Sequence, residues 1–176
     1  MPEGADGRAM RALPRAGAGR RDRRASADIK LEADPLSVFD FERFVDSLSF
    51  LENRTRMRVK LAGEEILDNI IRHAPPIDGR GIAIRVASRG DATFLGFYFR
   101  SSSFANFAAR CQDFTPLFDP AHRRWRGIGL IMCRNLVGRI TLRPGTLVDR
   151  IFLFFTPVMP GDRNAEPRLE EGLLVK

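Results

Sequence analysis

From residue 28 onward the apolar positions fall into runs of two periods. "DIKLEA" (Asp28 to Ala33) alternates apolar and polar residues and predicts a short first strand. In "DPLSVFDFERFVDSLSFLENR", Asp34 and Pro35 form a helix-start signal, and Val38, Phe41, Phe44, Val45, Leu48 and Leu51 recur at helical spacing. A second long helix is predicted over Thr55 to His73, ended by the paired prolines and glycine of "APPIDG". The period then changes from 3.6 to 2. "GIAIRVAS" (Gly81 to Ser88) and "ATFLGFYFR" (Ala92 to Arg100), separated by "RGD", predict an antiparallel hairpin. From Ser101 to Arg126 neither period is evident, and so long a connection inside a compact domain predicts a lid or binding loop. "GIGLIMCRNLVG" restores helical spacing through Ile128, Ile131, Met132, Leu136 and Val137. "RITLRP" and "DRIFLFFTP", joined by the turn "PGTLV", predict two last strands.

Runs of helices and hairpin-connected strands in this order predict an α+β layer fold with the helices on one face of the sheet. A composition that is 44% hydrophobic with 14 Phe fits one packed core. Charge changes the picture at the ends. Residues 1 to 24 carry seven Arg against Glu3, Asp6 and Asp22, a net +4 of the chain's +7. The expected organisation is a disordered Arg/Ala-rich tail over 1–27, a single domain over 28–158 and a mobile C-terminal end over 159–176. No internal repeat is present.

Several function classes drop out. Cys111 and Cys133 form no C-x-x-C, which predicts reduced thiols, and neither His73 nor His122 has a second His or Cys at metal-ligand spacing. The apolar run "IFLFF" is far short of the roughly 18 residues needed to cross a bilayer. A cytoplasmic protein with no membrane segment is expected. Nucleic acid is expected to engage the chain only weakly and only through the Arg-rich tail.

Candidate chemistry sits on two elements. In "GEEILDNIIRHA" the residues Ile66, Ile70 and Ala74 make an apolar stripe, widened by Leu67 and Ile71, while Glu65, Asn69 and His73 line a second stripe at four-residue spacing. That polar stripe reads either as a ligand-facing row or as a solvated face or polar network. The two glycines of "WRGIGL" stand where a loop becomes a helix. They read either as a helix start that holds an anion on unpaired N–H groups, or as a tight turn with close helix packing.

Taken together in this order, the motifs resemble the GHKL ATPase superfamily, whose ATP site is the Bergerat fold, and within it most nearly the anti-sigma-factor serine/threonine kinases. Glu65 and Asn69 in "EEILDNIIRHA" match the N-box, with His73 and Ala74 trailing, and "RGIGL" (Arg126 to Leu130) followed by "RNLVG" matches the G2 box. The resemblance implies a two-layer sandwich with helices on one face of a mixed, mostly antiparallel sheet. It implies ATP and magnesium as cofactors, with Asn69 as metal ligand and Glu65 as general base. His73, Arg126, Gly127, Gly129 and Leu130 would complete the nucleotide site. A sigma factor or its antagonist would be the protein partner, and a homodimer the assembly.

One motif departs from the pattern. Where the family carries Asp-x-Gly-x-Gly, this chain has "RSSSFANF". Ser101 stands for the aspartate, Ser103 and Ala105 for the glycines, and a one-residue shift would use Ser102 instead. The resemblance gives that aspartate the hydrogen bond from the adenine amino group. Losing a bond to a charged acceptor costs roughly 1.5 to 3 kcal/mol, about ten- to a hundred-and-fifty-fold in affinity. Two functions therefore stand: an ATP-binding kinase-like regulator acting on a partner by phosphorylation or sequestration, and an interaction or phosphotransfer adaptor that binds ATP weakly or not at all. Trp125 and the basic run "HRRWR" of the lid read either as ligand contacts or as lid packing and a solvated loop.

Overall fold

The computed structural model describes residues 24–77, 79–112, 116–121 and 123–156. Strand β1 (Arg24–Leu31) is followed by helices α1 (Ser37–Ser47) and α2 (Asn53–His73) and the hairpin β2 (Ile82–Arg89) and β3 (Ala92–Phe99). Then come α3 (Phe104–Gln112), the short pair β4 (Leu117–Asp119) and β5 (Arg124–Arg126), helix α4 (Ile128–Leu136), and strands β6 (Arg139–Arg143) and β7 (Asp149–Phe155). Every neighbouring pair in the main sheet is antiparallel, in the order β1-β2-β3-β7-β6. This is the expected α+β two-layer architecture, and the mixed, mostly antiparallel sheet that was expected is antiparallel at every pair.

The register makes one face of the sheet apolar. Ile84, Leu95 and Val86 stand with Phe97, Ile151 and Leu153 on the side that faces the helices, all at most 1% exposed. Helix α2 lies centrally over it, burying Val59, Ala62, Gly63, Ile66, Leu67 and Ile70. The absence of a side chain at Gly63 is what admits Phe41 of α1, because a Cβ there would overlap the Phe41 ring. At the α1–α2 corner the Arg56 guanidinium donates to the Leu48 and Leu51 carbonyls, both at 3.0 Å. The Leu51 N–H also donates to the Leu48 carbonyl at 3.2 Å, and this bonded corner stands in place of the longer helix expected through Leu51. Arg58 of α2 donates to the Leu136 and Thr156 carbonyls at 2.9 Å each, tying the ends of α4 and β7 to α2.

Two further differences have physical causes. Strand β1 begins at Arg24, four positions before the expected boundary at 28, and pairs with β2 along its whole length from Arg24↔Arg89 to Leu31↔Ile82. The expected lid contains helix α3. Phe104, Phe107 and Cys111 share one face of it and are 2%, 2% and 4% exposed, so this segment is anchored in the core. Of the expected tails over 1–27 and 159–176, residues 1–23 and 159–176 lie outside the described residues, as does His122. Among the described residues no helix is long and apolar enough to cross a membrane.

Candidate functional site

The polar stripe of α2 and the glycines of α4, separate motifs in the sequence, meet in space. Glu65 and Asn69 are half-buried, on the side of α2 that faces α4. The Asn69 Nδ2 donates to the Glu65 Oε1 at 2.6 Å and to the Glu65 carbonyl at 2.7 Å. Both amide hydrogens are thereby directed at Glu65, which fixes the orientation of the Asn69 amide and leaves its Oδ1 as the atom to present to a cation.

Gly129 sits in the first turn of α4, and a Cβ there would overlap the Glu65 carboxyl carbon and both carboxylate oxygens. Only a glycine leaves the Glu65 carboxylate in this position against the helix. Gly127 does a different job: as N-cap of α4 it takes a left-handed backbone, φ 82°, which turns the chain from β5 into the helix. The Glu65 carboxylate therefore lies at the positive end of the α4 dipole, where a negative group is favoured.

Two cysteines close the site from inside. Cys133 of α4 is fully buried, with its Sγ 3.5 Å from the Ala62 carbonyl, and Cys111 of α3 is 4% exposed. Burial raises both thiols, Cys111 to about 12, and the nearby Glu65 charge raises them further. Both are free, uncharged packing groups at neutral pH. His73 ends α2 as an exposed residue one turn beyond Asn69, and Leu130 is half-buried in the first turn of α4. The Arg126 backbone is part of β5, while its side chain and that of Trp125 lie outside what is described.

At the other end, Ser101 and Ser103 form a compact turn rather than an open glycine loop. Ser101 Oγ accepts from the Ser103 N–H at 3.1 Å, and the Ser103 carbonyl accepts from Phe107 N–H at 3.0 Å, starting α3. The Ser101 N–H in turn donates to Asp149 Oδ2 at 2.9 Å, and Gly145 N–H donates to Asp149 Oδ1 at 3.1 Å. Asp149, only 5% exposed, is a residue that sequence reasoning missed. Its carboxylate stands on β7 beside the position where the motif has lost its aspartate. The sequence shows it only as one of two charged residues opening the run "DRIFLFF", and its place beside Ser101 follows from strand pairing.

The chemistry of the Glu65–Asn69–Gly129 group fits a magnesium–nucleotide group: an oriented amide oxygen, a carboxylate and a helix start with glycine at Gly127 and Gly129. The base end differs from the resembling pattern, with a hydroxyl turn and a carboxylate supplied from a neighbouring strand.

No protein-family model matches this sequence, and no curated protein matches it. Chains of solved structures do, among them the crystal structure of the RsbU and RsbW domains of Rv1364c from Mycobacterium tuberculosis. The likeness covers 75% of this chain at a TM-score of 0.51 and 14% identity, and this chain spans 32% of the length of that one. At that identity the likeness is one of fold, and it agrees with the α+β architecture the motifs lead one to expect.

Proposed function

We propose that this chain is a regulatory protein of the anti-sigma type, which takes ATP with magnesium between α2 and α4 and controls a partner protein by phosphorylation, sequestration or both. The observation that carries the reading is the meeting of Glu65, Asn69 and Gly129. Magnesium, when bound, would neutralise phosphate charge and hold the nucleotide's last phosphates in line for transfer. Asn69 Oδ1 would be its protein ligand. Glu65, one turn earlier on the same helix face, would accept the proton of a partner's serine or threonine hydroxyl. The bare α-carbon of Gly129 and the left-handed turn at Gly127 would let the first turn of α4 approach phosphate oxygens. Asp149 would take over from Ser101 as acceptor for the adenine amino group. By the same resemblance the partner is a sigma factor or its antagonist, and the protein works in the cytoplasm as a homodimer.

A second reading is favoured by the Ser101–Ser103 turn, whose hydroxyl is already engaged with backbone: the fold serves as an adaptor with little hold on ATP. Calorimetry with ATP and with inorganic tripolyphosphate, each with magnesium, separates the two. The nucleotide reading expects both to bind, tripolyphosphate more weakly. Absence of both at millimolar concentration would leave the adaptor.

A further inference from the structure

The side of the sheet turned away from the helices carries its own chemistry. By strand alternation the outward positions are the even residues of β1 and β7, the odd residues of β2 and β6, and the even residues of β3. Among the described residues no helix packs over them. Four aromatic side chains stand at the centre. Phe94 lies 5.3 Å from Phe152 and 5.5 Å from Phe154 between ring centroids, and Tyr98 lies 5.8 Å from Phe152. Gly96 separates Phe94 from Tyr98, and a Cβ there would come within 2.7 Å of the Phe94 ring.

Cations surround the rings. The outward set holds Arg24 and Lys30 on β1, Arg85 and Arg89 on β2, Arg139 and Arg143 on β6, and Arg150 on β7, against the single acid Asp28. The Arg139 guanidinium lies 4.3 Å from the Phe154 centroid, and that of Arg143 5.8 Å from Phe152. Asp28 is engaged by Arg85 through both oxygens, at 2.6 and 3.1 Å. Between the rings of Phe94 and Phe154 and the arginines Arg24 of β1 and Arg85 and Arg89 of β2 runs an open groove of about 600 Å³, floored by the small residues Ser26, Ala87 and Ala92. Six more arginines precede Arg24 in the sequence.

We infer that this sheet face binds single-stranded nucleic acid. A polyanion answers seven cations, and flat bases answer a ring-lined groove with a small-residue floor; single strands present both at once. Sheets of similar size in RNA-binding domains stack two or three bases on such rings. Pairing of this face with a second copy would bring seven cations onto seven, which opposes it.

The test is fluorescence anisotropy of a labelled single-stranded oligonucleotide of about twelve residues with the full chain, titrated at several salt concentrations. Three variants are compared: Lys30→Glu/Arg143→Glu, Phe154→Leu, and Arg54→Glu on the helix side as a charge control, each checked for its melting temperature. The expected results are binding in roughly the 1–100 µM range at low salt, a loss of about tenfold or more for the double reversal, a loss of about fivefold for Phe154→Leu, and a change within about twofold for Arg54→Glu. No anisotropy change up to about 100 µM overturns the inference. So does equal weakening by Arg54→Glu and the double reversal, which would assign binding to net charge and the N-terminal segment. A stable dimer that the double reversal dissociates overturns it too, giving the face to a second copy.

Discussion

Replacing Gly129 by Ala puts a methyl group where the Glu65 carboxylate now lies. Two effects oppose each other. Ala in a helical position is better than Gly by about 0.5–1 kcal/mol. Against this, Glu65 must rotate away, forfeiting its 2.6 Å bond from Asn69, which as a bond to a charged group is worth roughly 1.5–3 kcal/mol. Glu65 also leaves the α4 N-terminus, a further loss of about 0.3–1 kcal/mol. The displaced group is the end of a flexible side chain, so the backbone is spared, and the net expectation is a destabilisation of about 1–3 kcal/mol. In a Glu65→Ala background the obstacle is gone and only the propensity effect remains. Gly129→Ala should then stabilise, by up to about 1 kcal/mol. Urea unfolding followed by far-ultraviolet circular dichroism on the four proteins of the cycle gives the coupling energy, expected near 2 kcal/mol or above. If Gly129→Ala shifts stability equally in both backgrounds, within about 0.5 kcal/mol, Glu65 and Gly129 do not touch and the reasoning fails.

Asp149→Ala removes the acceptor of the buried Ser101 N–H and of the more exposed Gly145 N–H; a destabilisation of about 2 kcal/mol is expected in urea unfolding, with Asp149→Asn losing less, and an unchanged midpoint would refute the role given to these two bonds. Cys111 and Cys133 should resist a thiol reagent at pH 8 in the native state and react fully in denaturant, since burial holds both thiols protonated; fast native labelling would contradict their packing. Glu64 is raised to about 7, first by burial and then by the adjacent Glu42, with Asp46 adding to the effect and Lys60 opposing it. The folded state holds a proton there that the unfolded chain releases near the ordinary carboxylate value, so this stabilisation is complete at low pH and is lost as pH rises through about 7. Glu64→Gln should therefore be the more stable protein at pH 8, by less than about 1 kcal/mol after solvent screening, and the difference should vanish near pH 4.5. A pH-independent difference in thermal melts would remove Glu64 from that role.

How much was legible depended on whether one element or several decided the matter. The stripe Ile66, Leu67 and Ile70 and the alternation of β2 and β3 each belong to one segment, and the structure puts them where the periods imply. Helix α3 had the same signal in Phe104, Phe107, Ala108 and Cys111, at i, i+3, i+4 and i+7, but the serines before it and the proline after it drew the reading toward a loop. The start of β1 was hidden because its inward residues, Ala25 and Ala27, are too small to mark a period. Glu65 and Gly129 were each legible as motif residues, while the contact between them is a product of helix packing. Asp149 and the basic aromatic sheet face were not legible, since each depends on which residues of different strands stand side by side, and register supplies that only after pairing.

The central claim is that α2 and α4 together hold the phosphates and metal of a nucleotide. Calorimetry of ATP with magnesium against the full chain and against Asn69→Ala tests it most directly. The account predicts saturable binding, in the micromolar range or up to about a hundredfold weaker because the motif aspartate is lost, and its disappearance in Asn69→Ala while the fold persists by circular dichroism. Binding that Asn69→Ala leaves intact, or no binding at millimolar ATP, would contradict it.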